Sequence, residues 1–294
     1  MAGVIGPPPL QQGARVAVVA PSSPFGREEF LAGLAWLRAR YQLVVRSSIL
    51  SRAGYLAGDD ERRADELARA MLRDDVAAIV CARGGYGATR IAERLPWQAF
   101  AARPKWIVGF SDITALHLEA ARVGVRSVHG PHVTGLGKPD PWTRACWIRA
   151  LEHPEKSFEW SSLRVLRGGR ARGKIVGGNL ALVEAMAASG RLVIPEGAVV
   201  ALEDVTERPY RIDRMLTALV TGGYFSRASA IVLGSFTQCT PGPDGVTVDA
   251  VLEDRLGGLG VPVLAGAPFG HGADNEAFVL GRDVEIDGAV IRFV

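Results

Sequence analysis

Residues 105–124, KWIVGFSDITALHLEAARVG, decide the fold at the centre of the first half of the chain. The run WIV at 106–108 is of the kind found in a parallel strand that is covered on both faces. Gly109 then allows a tight turn, and apolar residues recur at helical spacing from Ile113 onward. The stretch therefore predicts a buried strand, a sharp turn at Ser111 and a helix.

Strands and helices alternate on both sides of this stretch. The hydrophobic patterns predict strands at 15–20, 43–46 and 77–82 and, later in the chain, at 174–176, 198–202, 230–236 and 261–265. Helical patterns separate most of these runs, and such alternation implies a parallel sheet with right-handed crossovers. From residue 278 to the end, alternation around Asp287-Gly288 indicates a hairpin.

These patterns predict an α/β protein of two domains. Residues 1–140 would form a parallel-sheet domain that is Rossmann-like or flavodoxin-like, and residues 173–294 a smaller α/β domain with a mixed sheet. The hydrophobic period is lost between about 136 and 173, where prolines, tryptophans and an RGGRARG run follow one another. We therefore predict an irregular inter-domain connection at 141–172.

Composition excludes several classes of protein. The net charge is +3 without a basic block, which does not suggest nucleic-acid binding. Cys81, Cys146 and Cys239 are widely separated, which argues against a disulfide scaffold and a thiolate zinc site. The sequence contains no run of about 18 apolar residues, the length that a membrane-spanning helix requires. The N-terminus lacks the features of an export signal, so we expect a cytoplasmic protein.

Ser111 has two interpretations. A serine at a strand-to-helix turn commonly caps the helix through its hydroxyl. A serine at the carboxyl end of a parallel strand can also be a nucleophile, since the N–H groups of the following helix provide an oxyanion site. Gly109-Phe110-Ser111-Asp112 resembles the nucleophile elbow of hydrolases, but Ile113 replaces the second glycine, so an ordinary α/β-hydrolase is not indicated.

The loop Arg83–Gly87, RGGYG, is expected at the same edge of the sheet as Ser111. Its glycines are compatible with a tight turn. Neither glycine-rich phosphate-binding motif is present, which weighs against a phosphate cradle. A third use is to bring bare backbone N–H groups close to a reacting carbonyl.

Nucleophilic serine chemistry requires an imidazole base. His271 lies between two glycines after a predicted strand, where its ring would be accessible, although it could also be an ordinary loop histidine. His117 falls on another face of the helix from Ser111 and is expected to be packed. His129 and His132 lack a third ligand at metal-site spacing, so no metal site is predicted.

The same chemistry requires a carboxylate that orients the imidazole. Glu203 ends the predicted strand AVVAL, with its side chain at the edge of the sheet. Asp204 should point to the opposite face, because side chains alternate along a strand. Glu207 is a looser candidate, and spacing alone does not choose between them.

Seven motifs in register resemble the LD-carboxypeptidase family of serine peptidases, which includes muramoyl-tetrapeptide carboxypeptidases and the microcin C immunity peptidases. They are VAPSSP, GYLAGDDERRADEL, ARGGYGATRI, VGFSDITALH, GGNLALV, LEDVTERPYRIDRML and PVLAGAPFGHG. The resemblance covers residues 15–294. It implies that Ser111 is the nucleophile, Glu203 the acid and His271 the base, in a cleft between the two domains.

The resemblance also implies an oxyanion hole formed by backbone N–H groups of Gly85 and Asp112, with Gly84 as the alternative to Gly85. Asn179 and Tyr210 belong to similar motifs and are expected to line the cleft.

A carboxypeptidase must also receive a terminal carboxylate, for which Arg83 and Arg211 are the candidates. His132 stands where we expect methionine in relatives, a difference expected to affect binding more than chemistry.

The implied activity is cofactor-free removal of the terminal D-alanine from murein tetrapeptides or muropeptides, in peptidoglycan recycling. One alternative is hydrolysis of another acyl amide, such as an aminoacyl-nucleotide antibiotic of the microcin C type. A second is a non-catalytic binding protein in which Ser111 is only a helix cap. A homodimer is the assembly expected from the family.

Overall fold

The computed structural model describes residues 4–138 and 140–294, so Met1, where the predicted first domain begins, lies outside the described residues. The first part of the chain contains β1 (Arg15–Val19), α1 (Arg27–Arg38), β2 (Gln42–Val45), α2 (Asp60–Leu72), β3 (Ala78–Cys81), α3 (Ala88–Ala92), α4 (Trp97–Ala102), β4 (Trp106–Gly109), α5 (Thr114–Arg122), β5 (Ser127–His129), α6 (Val133–Leu136) and α7 (Pro141–Glu152). The remainder contains β6 (Phe158–Trp160), β7 (Arg164–Arg167), β8 (Arg170–Asn179), α8 (Leu180–Ala188), β9 (Val199–Val205), α9 (Pro209–Thr221), β10 (Ala230–Thr237), α10 (Val248–Leu256), β11 (Val263–Ala265), β12 (Phe278–Leu280), β13 (Asp283–Asp287) and β14 (Val290–Phe293).

The chain divides into two compact units. The first comprises the described residues up to Pro154 together with Glu276–Val279, and the second comprises Glu155–Asn275 and Leu280–Val294. The return of the chain to the first unit is anchored by α7, where Arg149 forms an ion pair of 2.7 Å with Glu276 and donates to the Ala277 carbonyl at 3.1 Å.

The sheet of the first unit has the flavodoxin-like strand order. Its described strands run β2-β1-β3-β4-β5-β12, and the first five are parallel. Strands β1, β3 and β4 are almost entirely buried, as their apolar runs predict. In this order the chain direction across the sheet reverses between β1 and β3, and the loops after these strands flank the crevice where such sheets bind ligands.

The sheet of the second unit is mixed, as predicted. Its described strands run β6-β14-β13-β8-β9-β10-β11-β7. Strands β8 to β11 form the parallel part, and the hairpin of β13 and β14 extends it on the β8 side in antiparallel pairing. The fold class and the C-terminal hairpin predicted from the sequence are therefore confirmed.

The expectation of irregular structure between residues 136 and 173 was wrong. Helix α7 occupies 141–152, and strands β6 and β7 follow it. The side chain of Asp140 caps α7 by accepting from the N–H groups of Trp142 and Thr143, and Pro141 is at the first helical position. A proline is favourable there, because that N–H has no partner within the helix.

Within the described residues, no helix combines the length and apolar character that a membrane span requires.

Candidate active site

Ser111 lies in a strained turn at the carboxyl end of β4. Its φ is +61°, a left-handed conformation that is uncommon for residues other than glycine. Residues Ser111–Ile113 form a short 3-10 turn that leads directly into α5, and neither this turn nor α5 has a side-chain cap. The N-cap interpretation of Ser111 was therefore wrong. Strain of this kind at a strand-to-helix turn is typical of nucleophile elbows.

A buried histidine fixes the end of β4. His117 on α5 is buried, and its Nε2–H donates to the Gly109 carbonyl at 2.8 Å. Burial lowers the pKa of His117 to about 4, so the ring is neutral at physiological pH. His117 is thus a packed helix residue, as predicted, and it holds the backbone two residues before Ser111.

Gly84 of the RGGYG loop packs directly against Ser111. A Cβ added to Gly84 would lie 3.0 Å from Ser111 Cβ and 3.0 Å from Cε1 of His132, closer than side chains ordinarily pack. The His132 ring is buried, stacks on Phe110 at 4.5 Å between centroids and donates from Nε2 to the Phe110 carbonyl at 2.9 Å. The absence of a side chain at residue 84 therefore lets the loop backbone approach the serine.

Gly85 approaches the loop after β1 instead. Its φ is +101°, and an added Cβ would lie 2.5 Å from Ser23 Oγ. Ser23 ties the two loops together, since its N–H donates to the Gly84 carbonyl at 3.2 Å and its Oγ accepts from the Tyr86 N–H at 3.1 Å. The loops after β1 and β3 thus meet beside Ser111 at the switch point of the sheet.

Asp112 is fully buried, and its Oδ2 accepts from the Ala88 N–H at 2.8 Å. Burial raises the pKa of this carboxyl, while the hydrogen bond from the Ala88 backbone opposes the rise. Its side chain therefore fastens the start of α3 to the turn that follows the serine.

In the second unit the structure brings Glu203 and His271 together. Nδ1 of His271 lies 2.7 Å from Glu203 Oε2. Because a carboxylate can only accept, Nδ1 carries the proton, and Nε2 is left as the basic nitrogen of the neutral ring. The Glu203 side chain is fully buried, whereas that of His271 is 19% exposed. The pair is an imidazole base held in one tautomer by a carboxylate.

A bulge in β10 braces the loop that carries His271. The register between β9 and β10 shifts between Leu233 and Phe236, and Ser235 lies within that shift. Its hydroxyl donates to the Phe269 carbonyl at 3.2 Å and accepts from the Gly272 N–H at 2.9 Å. Ser235 therefore holds the backbone on both sides of His271. Bulges beside active sites commonly redirect a residue in this way.

The neighbouring acid, Asp204, faces a different set of partners. Its Oδ1 accepts from Asn179 Nδ2 and its Oδ2 from the Ala181 N–H, both at 3.0 Å. Burial raises the pKa of Asp204 to about 6, and the charge of Glu203 adds to the rise. Glu207, the looser candidate, instead faces Arg211 at 3.5 Å. Of the three acids, only Glu203 contacts His271.

The residues predicted to bind substrate have different environments. Asn179 is buried and caps α8 by accepting from the Leu182 N–H at 3.2 Å. Tyr210 and Arg211 are exposed neighbours on α9, with the Arg211 guanidinium 5.9 Å from the Tyr210 ring centroid. Arg83 is exposed and donates to the Pro24 carbonyl at 2.6 Å. Substrate contacts of these four residues stay predictions.

Two serines that the sequence analysis did not single out support the site. Ser23 joins the loops after β1 and β3, and Ser235 braces the His271 loop. The Gly-Ser pair that interrupts the apolar strand AIVLGSFT was an available signal, since glycine within a strand often marks a bulge.

The folds of the two units are those of a two-domain α/β peptidase. The chain belongs to the LD-carboxypeptidase family, whose N-terminal domain matches residues 16–130 and whose C-terminal domain matches residues 172–286. This confirms the resemblance inferred from the seven motifs.

Individual relatives agree with this assignment. The chain is 42% identical to a putative carboxypeptidase of Streptomyces coelicolor, over 98% of this chain and 94% of that protein. It is 32% identical to the murein tetrapeptide carboxypeptidase of Pseudomonas aeruginosa, over 95% of each. The crystal structure of muramoyltetrapeptide carboxypeptidase from Oxalobacter formigenes matches with a TM-score of 0.85 at 26% identity, covering 95% of this chain and 97% of that one.

Proposed function

We propose that this protein is a serine carboxypeptidase that releases the terminal D-alanine from murein tetrapeptides. The observation that carries the proposal is the 2.7 Å contact between His271 Nδ1 and Glu203 Oε2, which leaves Nε2 as a base. The strained turn at Ser111 and the similarity to a murein tetrapeptide carboxypeptidase support it further.

The proposed reaction proceeds through an acyl-enzyme. Ser111 Oγ attacks the carbonyl of the L-centred diamino acid while Nε2 of His271 takes the hydroxyl proton. The tetrahedral intermediate then collapses as the same proton passes to the nitrogen of the leaving D-alanine. A water molecule, deprotonated by His271, hydrolyses the ester and regenerates the serine. Glu203 holds the tautomer and stabilises the imidazolium throughout.

Backbone N–H groups would stabilise the oxyanion. Those of Gly85 and Asp112 are the proposed donors, with Gly84 as the alternative. The contact of Gly84 with Ser111 and the left-handed turn at Gly85 support this loop as the donor. Loss of one such donor lowers the rate by about 10²–10³-fold.

The terminal carboxylate of the substrate requires a cationic partner. Arg83 follows β3 immediately before Gly84, and Arg211 lies on α9 beside Tyr210. Both guanidiniums are exposed, so either could form a bidentate pair with a carboxylate. Comparison of Arg83→Gln with Arg211→Gln on a tetrapeptide and its C-terminal amide would identify which one does so.

The test combines substrate turnover with labelling. Purified protein is incubated with tetrapeptide, and loss of one alanine is followed by mass spectrometry, with Ser111→Ala as the negative control. A fluorophosphonate probe should label Ser111 in the wild type and fail to label it in His271→Ala. If the probe labels Ser111 equally well in His271→Ala, the proposal that His271 activates Ser111 is contradicted.

The same experiment distinguishes the alternatives. Probe labelling without alanine release would favour another acyl amide, such as a microcin C-type aminoacyl-nucleotide. Neither labelling nor turnover would favour a non-catalytic binding protein. A cytoplasmic location and a homodimer belong to the same proposal, and cell fractionation and light scattering test them.

A further inference from the structure

Three arginines surround the segment that follows β1 in the first unit. Arg27 starts α1, and Arg52 donates to the Phe25 carbonyl at 3.4 Å. Arg83 donates to the neighbouring Pro24 carbonyl at 2.6 Å. The three side chains thus come from separate parts of the sequence and gather around one short loop.

These arginines lack the acidic partners that are usual in this unit. Elsewhere Arg46 pairs with Asp65 at 3.1 Å and Arg90 with Asp60 at 2.8 Å, and most described arginines of the first unit are paired in the same manner. Among the described residues of this unit, no carboxylate forms an ion pair with Arg27, Arg52 or Arg83. Glu28 and Glu29 follow Arg27 in the first turn of α1 but form no ion pair with these three guanidiniums, which stay available for an anionic ligand.

A small pocket lies beside the same loop, between Arg27 and Arg52. Its volume is about 140 Å³, and Arg27 and Arg52 are the charged residues that line it. Phe25, Ile49 and Leu50 contribute apolar surface. The combination suits a short aliphatic chain that ends in an anionic group, since the chain would contact the apolar wall while the guanidiniums bind the anion.

A short series of contacts links the pocket to the proposed nucleophile. Pro24, which lines it, follows Ser23, whose N–H donates to the Gly84 carbonyl at 3.2 Å. Gly84 in turn packs against Ser111. A peptide bound with its scissile bond at Ser111 would therefore have other groups within reach of these arginines.

We infer that Arg27 and Arg52 form a subsite for a free carboxylate on a short aliphatic chain of the peptide, in addition to its terminal carboxylate. The inference rests on the proposed function, because it places a part of that substrate. Two carboxylates of a murein tetrapeptide have this chemistry. One is on the side chain of a dicarboxylic diamino acid, and the other is the free α-carboxylate of the γ-linked glutamyl residue.

The test compares three tetrapeptides: one with both carboxylates free, one amidated on the diamino acid side chain and one amidated on the glutamyl residue. We expect amidation at the bound position to lower kcat/KM about tenfold in the wild type, and amidation at the other position to have little effect. In Arg27→Gln and Arg52→Gln the preference for the free acid should disappear.

Arg38→Gln is the matched control, because Arg38 is an exposed arginine at the other end of α1. It should keep the wild-type preference. The inference is overturned if neither amidation changes kcat/KM in the wild type. It is also overturned if Arg27→Gln and Arg52→Gln prefer the free acid over the amidated peptide as strongly as Arg38→Gln does.

Failure of the proposed function would look different. If the wild type releases alanine from none of the peptides, the carboxypeptidase proposal fails, and calorimetric binding of the same peptides still tests the subsite. Tighter binding of the free acid that is lost in Arg27→Gln and retained in Arg38→Gln would support it. Equal binding of all three peptides would overturn it.

Discussion

Substitution of Gly270 by alanine tests how closely the His271 loop must approach the acid. Gly270 has φ +107°, and an added Cβ would lie 2.6 Å from Glu203 Oε2 and 2.7 Å from Ser235 Oγ. Gly266 is a matched control in the same segment. It has φ +85°, and an added Cβ there would contact nothing within 4 Å. The two variants share the backbone strain but differ in the collision.

The two variants differ in their expected costs. A residue with a Cβ at positive φ costs about 1–2 kcal/mol, and this is the whole cost expected for Gly266→Ala. Gly270→Ala must also displace a buried carboxylate, and its charge-assisted hydrogen bond with His271 is worth about 1.5–3 kcal/mol more. Because His271 would then lack its orienting acid, kcat should fall by about 10²–10⁴-fold.

Thermal unfolding measures the stability of both variants, alanine release measures kcat, and the downfield proton resonance of His271 Nδ1–H reports the hydrogen bond itself. The resonance should persist in Gly266→Ala and disappear in Gly270→Ala. Equal rates in the two variants, with the resonance present in both, would refute the reasoning.

Further substitutions test other parts of the site. Glu203→Gln should lower kcat about 10³–10⁴-fold, with a smaller change in KM, because the amide no longer fixes the tautomer; a kcat near wild type would contradict this. Ser235→Ala removes two hydrogen bonds to the His271 loop and should lower kcat about tenfold, whereas Ser189→Ala, which loses one bond at the end of α8, should not. Neutral His117, with a pKa of about 4, contributes stability above pH 6.5 that is lost as the pH falls toward 4, by about 3 kcal/mol. His117→Gln should therefore show a shallower fall in Tm between pH 7 and 4.5, and an unchanged slope would count against this assignment.

The sequence by itself determined the order and type of most elements and the family. Hydrophobic periodicity and turn residues act over a few positions, so the buried strand before Ser111 and the mixed second sheet followed from local pattern. Alternation along β9 also separated Glu203 from Asp204, and the structure places them with different partners.

Only the tertiary structure decided the features that depend on residues far apart in the chain. The left-handed turn at Ser111 and the return of β12 to the first sheet have no clear local signature. The Gly-Ser pair of β10 can indicate a bulge, but it does not indicate that the bulge brings Ser235 to the His271 loop. Each is held by hydrogen bonds or close packing between distant segments, and such contacts can override the preferences of the local sequence. The arginines around Pro24 gather for the same reason, since the fold alone brings residues 27, 52 and 83 to one loop.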